Sequence, residues 1–138
     1  AEVKEAKAEA VSTLKGGTET VLVAEDDVVL RKLIKDVLEG FGYKVIMTED
    51  GEKAVERFME SKDEIKLALL DVIMPKKNGK EVYEEIKKIR PDIKVLFVSG
   101  YTGDIIDKKE MFEEGLEFLL KPVSPKELLR KVREALDR

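Results

Sequence analysis

Four apolar residues, Leu67-Ala68-Leu69-Leu70, run without alternation into Asp71, and Pro75, Asn78 and Gly79 follow close behind. A strand with one wet face alternates apolar and polar residues. An unbroken run therefore predicts a strand covered on both faces, as in a parallel sheet sandwiched between helices. In open sheets of that kind ligands bind beyond the carboxyl ends of the strands, which puts Asp71 where chemistry is expected. Taken alone, an Asp at such a place is more often a helix cap or a turn residue. The ends of the other strands decide between the two readings.

Val21-Leu22-Val23-Ala24 predicts a first buried strand ending in Glu25-Asp26-Asp27, and Leu30, Leu33, Ile34, Val37 and Leu38 then recur at helical spacing as far as Gly40. Tyr43 to Thr48 predicts the second strand, Asp50-Gly51 a turn, and Ala54, Val55 and Phe58 a short amphipathic helix. After the third strand, Asn78 is placed to cap a helix with an inner face of Val82, Tyr83, Ile86 and Ile89, stopped near Pro91. Val95 to Val98 is the fourth strand and runs into Ser99-Gly100-Tyr101; the less periodic segment 104–114 has room for a short helix around Ile106 and Met111. Phe118-Leu119-Leu120 is the fifth strand, ending in Lys121-Pro122. Ser124-Pro125-Lys126-Glu127 combines a capping box with proline at the first helical position, and starts a last helix lined by Leu128, Leu129, Val132 and Leu136.

Strands and helices alternating at this spacing pair in parallel through right-handed crossovers. The expected fold is a doubly wound, flavodoxin-like α/β sandwich whose five parallel strands lie in the order 2-1-3-4-5, with helices on both faces. Residues 18–138 are assigned to this domain. Residues 1–17, rich in Ala, Glu and Lys and broken by Gly16-Gly17, are read as a linker or an added helix. Gly16-Gly17-Thr18 is no phosphate loop, because no Gly-Lys-Ser/Thr follows it.

Composition narrows the chemistry. The chain has 138 residues and no cysteine, so it is one domain held by its core, without disulfides or thiolate sites. No apolar run approaches the roughly 20 residues of a membrane span, and AEVKEAKAEA lacks a signal-peptide core. The expectation is a soluble, cytoplasmic domain without membrane contact. The 26 basic and 30 acidic residues are well mixed, so no basic stripe predicts direct nucleic-acid binding. Histidine is missing altogether, which removes the commonest general base and nitrogen metal ligand. Glutamine is absent and Asn78 is the one asparagine, against abundant Lys and Glu, a bias that points to a thermophilic source.

In the expected architecture the ends of strands one, three, four and five converge in one crevice, bringing Glu25, Asp26, Asp71, Ser99 and Lys121 together. Three carboxylates against one lysine leave an excess of two negative charges, which raises pKa values unless something neutralises it. One divalent cation does so. With no His or Cys, the donor set suits a hard, oxygen-loving ion, Mg²⁺ first and Mn²⁺ as a substitute. An amine, a hydroxyl and such an ion around one carboxylate are a phosphoryl-transfer constellation with Asp71 as nucleophile.

Glu25-Asp26, Asp71 with Pro75 and Gly79, Ser99-Gly100 and Lys121-Pro122, in this order and spacing over about residues 19–138, resemble the receiver domain of two-component response regulators. The resemblance implies that Asp71 accepts a phosphoryl group from a phosphohistidine on a histidine kinase or a histidine phosphotransfer domain, with Mg²⁺ required. It also implies that Asp26, Asp71 and the backbone carbonyl of Ile73 ligate the metal, and that Glu25 acts through water. Lys121, Ser99 and the Gly100 amide then hold the phosphoryl group. As an isolated domain such a protein is no enzyme, although it promotes its own phosphorylation and dephosphorylation. Asp27 is given a structural part, favoured by the dipole of the first helix.

Phosphorylation gives Asp71 about −2 charge and three acceptor oxygens, which draws Ser99 toward it. In the family an aromatic residue three positions before the lysine fills the space left behind. Here that is Phe118, which is equally a plain core residue. The output face is the fourth helix, fifth strand and fifth helix, where a downstream protein docks. Ile73 and Tyr101 flank the path of an attacking water and are poor at orienting it, so slow self-dephosphorylation is expected.

Rival readings are weaker. A phosphohydrolase with an Asp nucleophile needs a second Asp two residues on, where this chain has Ile73. A flavin-binding domain needs a phosphate loop where this chain has three acids. A receiver-like scaffold that is never phosphorylated remains the alternative. The lead-in GGTET and the Ser-Gly-Tyr-Thr run resemble receivers at the C-terminus of hybrid sensor histidine kinases, whose parent protein can be membrane-anchored; a stand-alone regulator fits nearly as well.

Overall fold

The computed structural model describes residues 15–100 and 117–138. The segment 104–114 and most of the lead-in lie outside these residues. Within them the chain runs β1 (Thr20–Ala24), α1 (Val28–Gly40), β2 (Lys44–Thr48), α2 (Gly51–Ser61), β3 (Ile65–Asp71), α3 (Gly79–Ile89), β4 (Lys94–Ser99), β5 (Glu117–Leu120) and α4 (Pro125–Leu136). All pairings are parallel and the sheet order is β2-β1-β3-β4-β5, as expected. Element ends differ from the sequence reading by one or two residues.

Side chains alternate across the sheet, but both faces are buried. Val21, Val23, Leu67, Leu69, Leu96 and Val98 pack with Ile34 and Leu38 of α1 and Leu128, Leu129 and Val132 of α4. Leu22, Ala24, Ala68, Leu70 and Phe97 pack with Ala54 and Phe58 of α2 and Val82 and Ile86 of α3. Polar alternation has nowhere to go, which is why the central strands read as unbroken apolar runs. The edge strands differ: Lys44 begins β2 exposed, and Leu120 ends β5 with 60% of its surface exposed.

Two local readings are corrected. Asp50-Gly51 is not a free turn: the Asp50 carboxylate accepts from Lys53 N at 2.8 Å as the cap of α2, and Gly51 is the first helical residue. A Cβ at Gly51 would lie 2.1 Å from the Lys77 carbonyl oxygen, so the loop after β3 rests directly on this helix start. At α4 only half of the expected capping box forms. Ser124 Oγ accepts from Glu127 N at 3.2 Å, but the Glu127 carboxylate pairs with Arg130 at 2.8 Å instead of reaching back. Asn78 and Glu81 form a reciprocal capping box at α3, more than the single cap expected of Asn78.

At the amino ends of the strands, Arg133 of α4 joins distant segments. Its guanidinium donates to Glu19 Oε2 at 2.6 Å, to the Gly16 carbonyl at 3.1 Å and to Asp137 Oδ1 at 2.9 Å. Gly17 N donates to Phe41 O at 3.1 Å, and Gly42 at φ +98° packs so that a Cβ would meet Gly17 O at 2.5 Å. The hydrogen bond to Arg133 holds the Glu19 carboxyl below its ordinary value of 4.5, against burial, which raises it. A depressed carboxylate stabilises the fold above its unfolded pKa, and that contribution is lost as pH falls through the folded value. Glu19→Gln should therefore be less stable than the parent at neutral pH, and the gap should narrow once pH falls below the ordinary value of 4.5. Thermal melts across that range check it; a pH-independent gap would mean that packing, not the charge, matters.

Candidate functional site

Register places the site. Ala24 pairs with Leu70, so Glu25 is level with Asp71; Asp71 pairs with Val98, and Ser99 with Leu120, so Ser99 and Lys121 follow one step along the same rim. Asp71 is 3% exposed. Its Oδ1 accepts from Ile73 N at 3.1 Å and its Oδ2 from Lys121 Nζ at 2.9 Å. Behind it, Gly79 N donates to Val72 O at 2.9 Å, and a Cβ at Gly79 would sit 2.4 Å from the Asp71 carbonyl oxygen. Only glycine lets α3 start this close to the strand end.

Glu25 is 1% exposed, whereas Asp26 is exposed. Glu25 Oε2 accepts from Asp27 N at 3.0 Å, while Oε1 has no hydrogen-bond partner and lies 3.7 Å from Lys121 Nζ. Burial, and then the neighbouring Asp71 carboxylate, push the Glu25 carboxyl up to about 8. The upward shift expected from crowded acids thus falls on the more buried member. Burial works to lower Lys121, but Asp71, with Glu25 and Asp26 behind it, outweighs this and holds the ammonium above its ordinary value. Ser99 is fully buried at the end of β4, its hydroxyl donating to the Gly100 carbonyl at 3.1 Å.

One oxygen from each of Glu25, Asp26 and Asp71 lies within 4.8 Å of the others. An all-carboxylate set with a buried, unpartnered oxygen and too little positive charge fits a hard divalent cation such as Mg²⁺ or Mn²⁺. Ile73, two residues beyond Asp71, is 60% exposed. Asp27 has the structural part expected of it: its Oδ1 caps α1, accepting from Val29 N at 2.9 Å and Leu30 N at 3.1 Å. Phe118 is 7% exposed, its ring 5.6 Å from that of Phe97, which has Tyr83 at 5.7 Å on α3. Tyr101 lies outside the described residues.

Sequence reasoning missed the residues that hold the acidic turn. Thr48 takes the Glu25 N–H on its carbonyl at 3.1 Å and donates its hydroxyl to Val23 O at 2.8 Å. Arg31 donates Nη1 to the Glu25 carbonyl at 3.0 Å. The only sequence signal for either is position: a polar residue closing an otherwise apolar edge strand, and a cation one turn into the helix after the acids.

The family profile of the response regulator receiver domain matches residues 21–133. The chain belongs to this family. It is 36% identical over 135 residues to the sensor kinase CckA of Brucella abortus, covering 98% of this chain and 14% of that protein. It is also 36% identical over 121 residues to the probable transcriptional regulator ycf27 of Galdieria sulphuraria, covering 87% and 46%. The chain spans at most about half the length of the curated relatives it matches here. Among solved structures, a response regulator receiver domain protein from Clostridium thermocellum superimposes with a TM-score of 0.81 at 30% identity, covering 87% of this chain and 95% of that one. A CheY-like receiver from Methanospirillum hungatei gives 0.78 at 29%, covering 88% and 95%. The receiver thus belongs to the two-component signalling family, with an acidic cluster of Glu25, Asp26 and Asp71 at the carboxyl ends of its strands. Receivers are typically not independent enzymes. No helix among the described residues is long and apolar enough to cross a membrane.

Proposed function

We propose that Asp71 is the phosphoacceptor of a phosphorelay. A carboxylate oxygen of Asp71 attacks phosphorus, the bond to the donor histidine nitrogen breaks, and the imidazole leaves with the electron pair and takes up a proton. The supporting observation is the Lys121 ammonium 2.9 Å from Asp71 Oδ2, inside a cluster of three acids. Lys121 stabilises charge on the transferring group, and the Ser99 hydroxyl and Gly100 amide hydrogen-bond it. Asp26, Asp71 and the Ile73 carbonyl would hold Mg²⁺ directly and Glu25 through water. That ion supplies charge neutralisation on the phosphoryl oxygens.

Ser99 moves toward the new phosphoryl group, and Phe118, already seated against Phe97, couples that movement to the face formed by β5, α4 and the helix expected within 104–114. A small free-energy gap lets phosphorylation shift the population. The alignment with the kinase CckA covers 98% of the chain, against 87% for ycf27 of Galdieria, so it takes in nearly all of the lead-in. This supports a receiver within a hybrid kinase, residues 1–17 as linker and 18–138 as receiver, on the cytoplasmic side. The Lys- and Glu-rich, glutamine-free composition alone supports a thermophilic source.

The test is incubation with a small phosphodonor, watched by intact mass. Uptake of one phosphoryl group that needs Mg²⁺ is expected, followed by slow loss after donor removal, since the exposed apolar Ile73 cannot orient water. No uptake in the presence of Mg²⁺ leaves the scaffold reading. Loss within seconds refutes slow self-dephosphorylation.

A further inference from the structure

Asp26 is the exposed member of the acidic cluster, and its carboxylate makes no hydrogen bond or ion pair among the described residues. Nothing on the side chain fixes where its oxygens point. Its placement is inherited from the backbone, and the residue that precedes it is held on both sides. Glu25 N donates to Thr48 O at 3.1 Å, and Glu25 O accepts from Arg31 Nη1 at 3.0 Å. Arg31 N also donates to Asp27 O at 2.9 Å, so one residue grips the acidic turn by both its main chain and its guanidinium.

We infer that Arg31 is a positioning residue for divalent-cation binding: its guanidinium, by fixing the Glu25–Asp26 peptide through the Glu25 carbonyl, aims the Asp26 carboxylate at the cluster. The inference rests on the functional reading above, because it takes the cluster to be the cation site. Two effects of Arg31 have opposite signs here. A positive charge beside a cation site opposes the cation, so as a mere charge Arg31 weakens binding and its removal strengthens it. As an anchor it acts the other way, since losing a group that orients a ligand costs about 10- to 100-fold in metal affinity. The bond has ordinary length and is partly buried, and no other side chain donates to the Glu25 carbonyl among the described residues, so anchoring dominates.

Lysine keeps the charge and a donor, though as one group on a flexible stem in place of a planar fork. Lys53 lines the same cavity of about 310 Å³ beside Arg31 and pairs with Glu49, without touching the acidic turn. It is the control for charge alone.

The experiment is Mn²⁺ titration of the full chain, read from the paramagnetic resonance signal of free Mn²⁺, for the parent, Arg31→Met, Arg31→Lys and Lys53→Met, with melting curves to establish folding. Arg31→Met should weaken Mn²⁺ binding about tenfold, with Arg31→Lys recovering most of the loss and Lys53→Met binding as tightly as the parent or tighter. Equal or tighter binding by Arg31→Met overturns the inference and leaves the functional reading standing. So does a loss shared equally by the lysine variant and matched by its melting curve, which marks a merely structural role. Failure of the parent itself to bind Mn²⁺ overturns both.

Discussion

Asp71→Asn should take up no phosphoryl group from a small donor under conditions in which the parent is fully modified, and should melt at a higher temperature than the parent in chelator. The first effect is chemical. The amide retains an oxygen that can accept from Ile73 N, the contact the carboxylate makes at 3.1 Å, but it has no anionic oxygen to attack phosphorus. The second effect is electrostatic. Burial, with Asp71 second to it, holds Glu25 up to about 8, and the single ammonium of Lys121 stands 2.9 Å from one acid and 3.7 Å from the other. Removing the Asp71 charge lets Glu25 ionise more readily and leaves Lys121 to it alone. Saturating Mg²⁺ should erase the difference, because a ligand at 100 times its dissociation constant stabilises the parent by about 2.7 kcal/mol and the variant by less. Intact mass and melting curves with and without Mg²⁺ read both effects. Phosphoryl uptake by the variant would move the acceptor to another acid. A lower melting point in chelator would mean that the Lys121–Asp71 pair outweighs the crowding of the acids.

Much of this site was legible because the fold imposes so few choices on it. An apolar run with no polar alternation has to be buried on both faces, and a parallel sheet then collects its strand ends on one rim. Reading which polar residue follows each run is enough to bring together Glu25, Asp26, Asp71, Ser99 and Lys121. The inward or outward direction of neighbours was not legible. Glu25 is 1% exposed and Asp26 is exposed, and adjacency in sequence does not say which side chain turns inward where a strand gives way to a turn.

Contacts made through the backbone were not legible either. Arg31 acts on a carbonyl, so it looks like any cation on an amphipathic helix. The loop after Asp71 holds Lys76 at φ +69°, with Lys77 N donating to Pro75 O at 2.8 Å, although lysine carries no preference for that conformation. What selects it is tertiary: Lys77 O packs on Gly51 at the start of α2, and the geometry of the loop follows from that contact. Glu127, drawn to Arg130 rather than back to the cap, shows the same competition on a smaller scale.

Lys121→Met separates the two tasks that one ammonium performs. In the absence of a divalent cation, it is the one cationic group within 4 Å of the Asp71 and Glu25 carboxylate oxygens among the described residues. Removing one partner of a buried pair costs about 3–5 kcal/mol when the remaining charge has no other relief. Here relief exists: the lysine side chain is 31% exposed, and Glu25, already raised to about 8, stays protonated when the ammonium is gone. A loss of about 1–2 kcal/mol is therefore expected in chelator. Divalent binding should move the other way and tighten, because the site gains one unit of net negative charge while Asp26 and Asp71 keep their carboxylates. Phosphorylation should nonetheless slow by about 100-fold or more even at saturating Mg²⁺, since charge developing on the phosphoryl oxygens loses a preorganised cation that faces it. Denaturation in chelator, Mn²⁺ titration and the rate of phosphoryl uptake measure the three effects separately. Tighter metal binding with an unchanged rate would confine Lys121 to balancing charge before the reaction, and weaker metal binding would mean that its loss collapses the cluster itself.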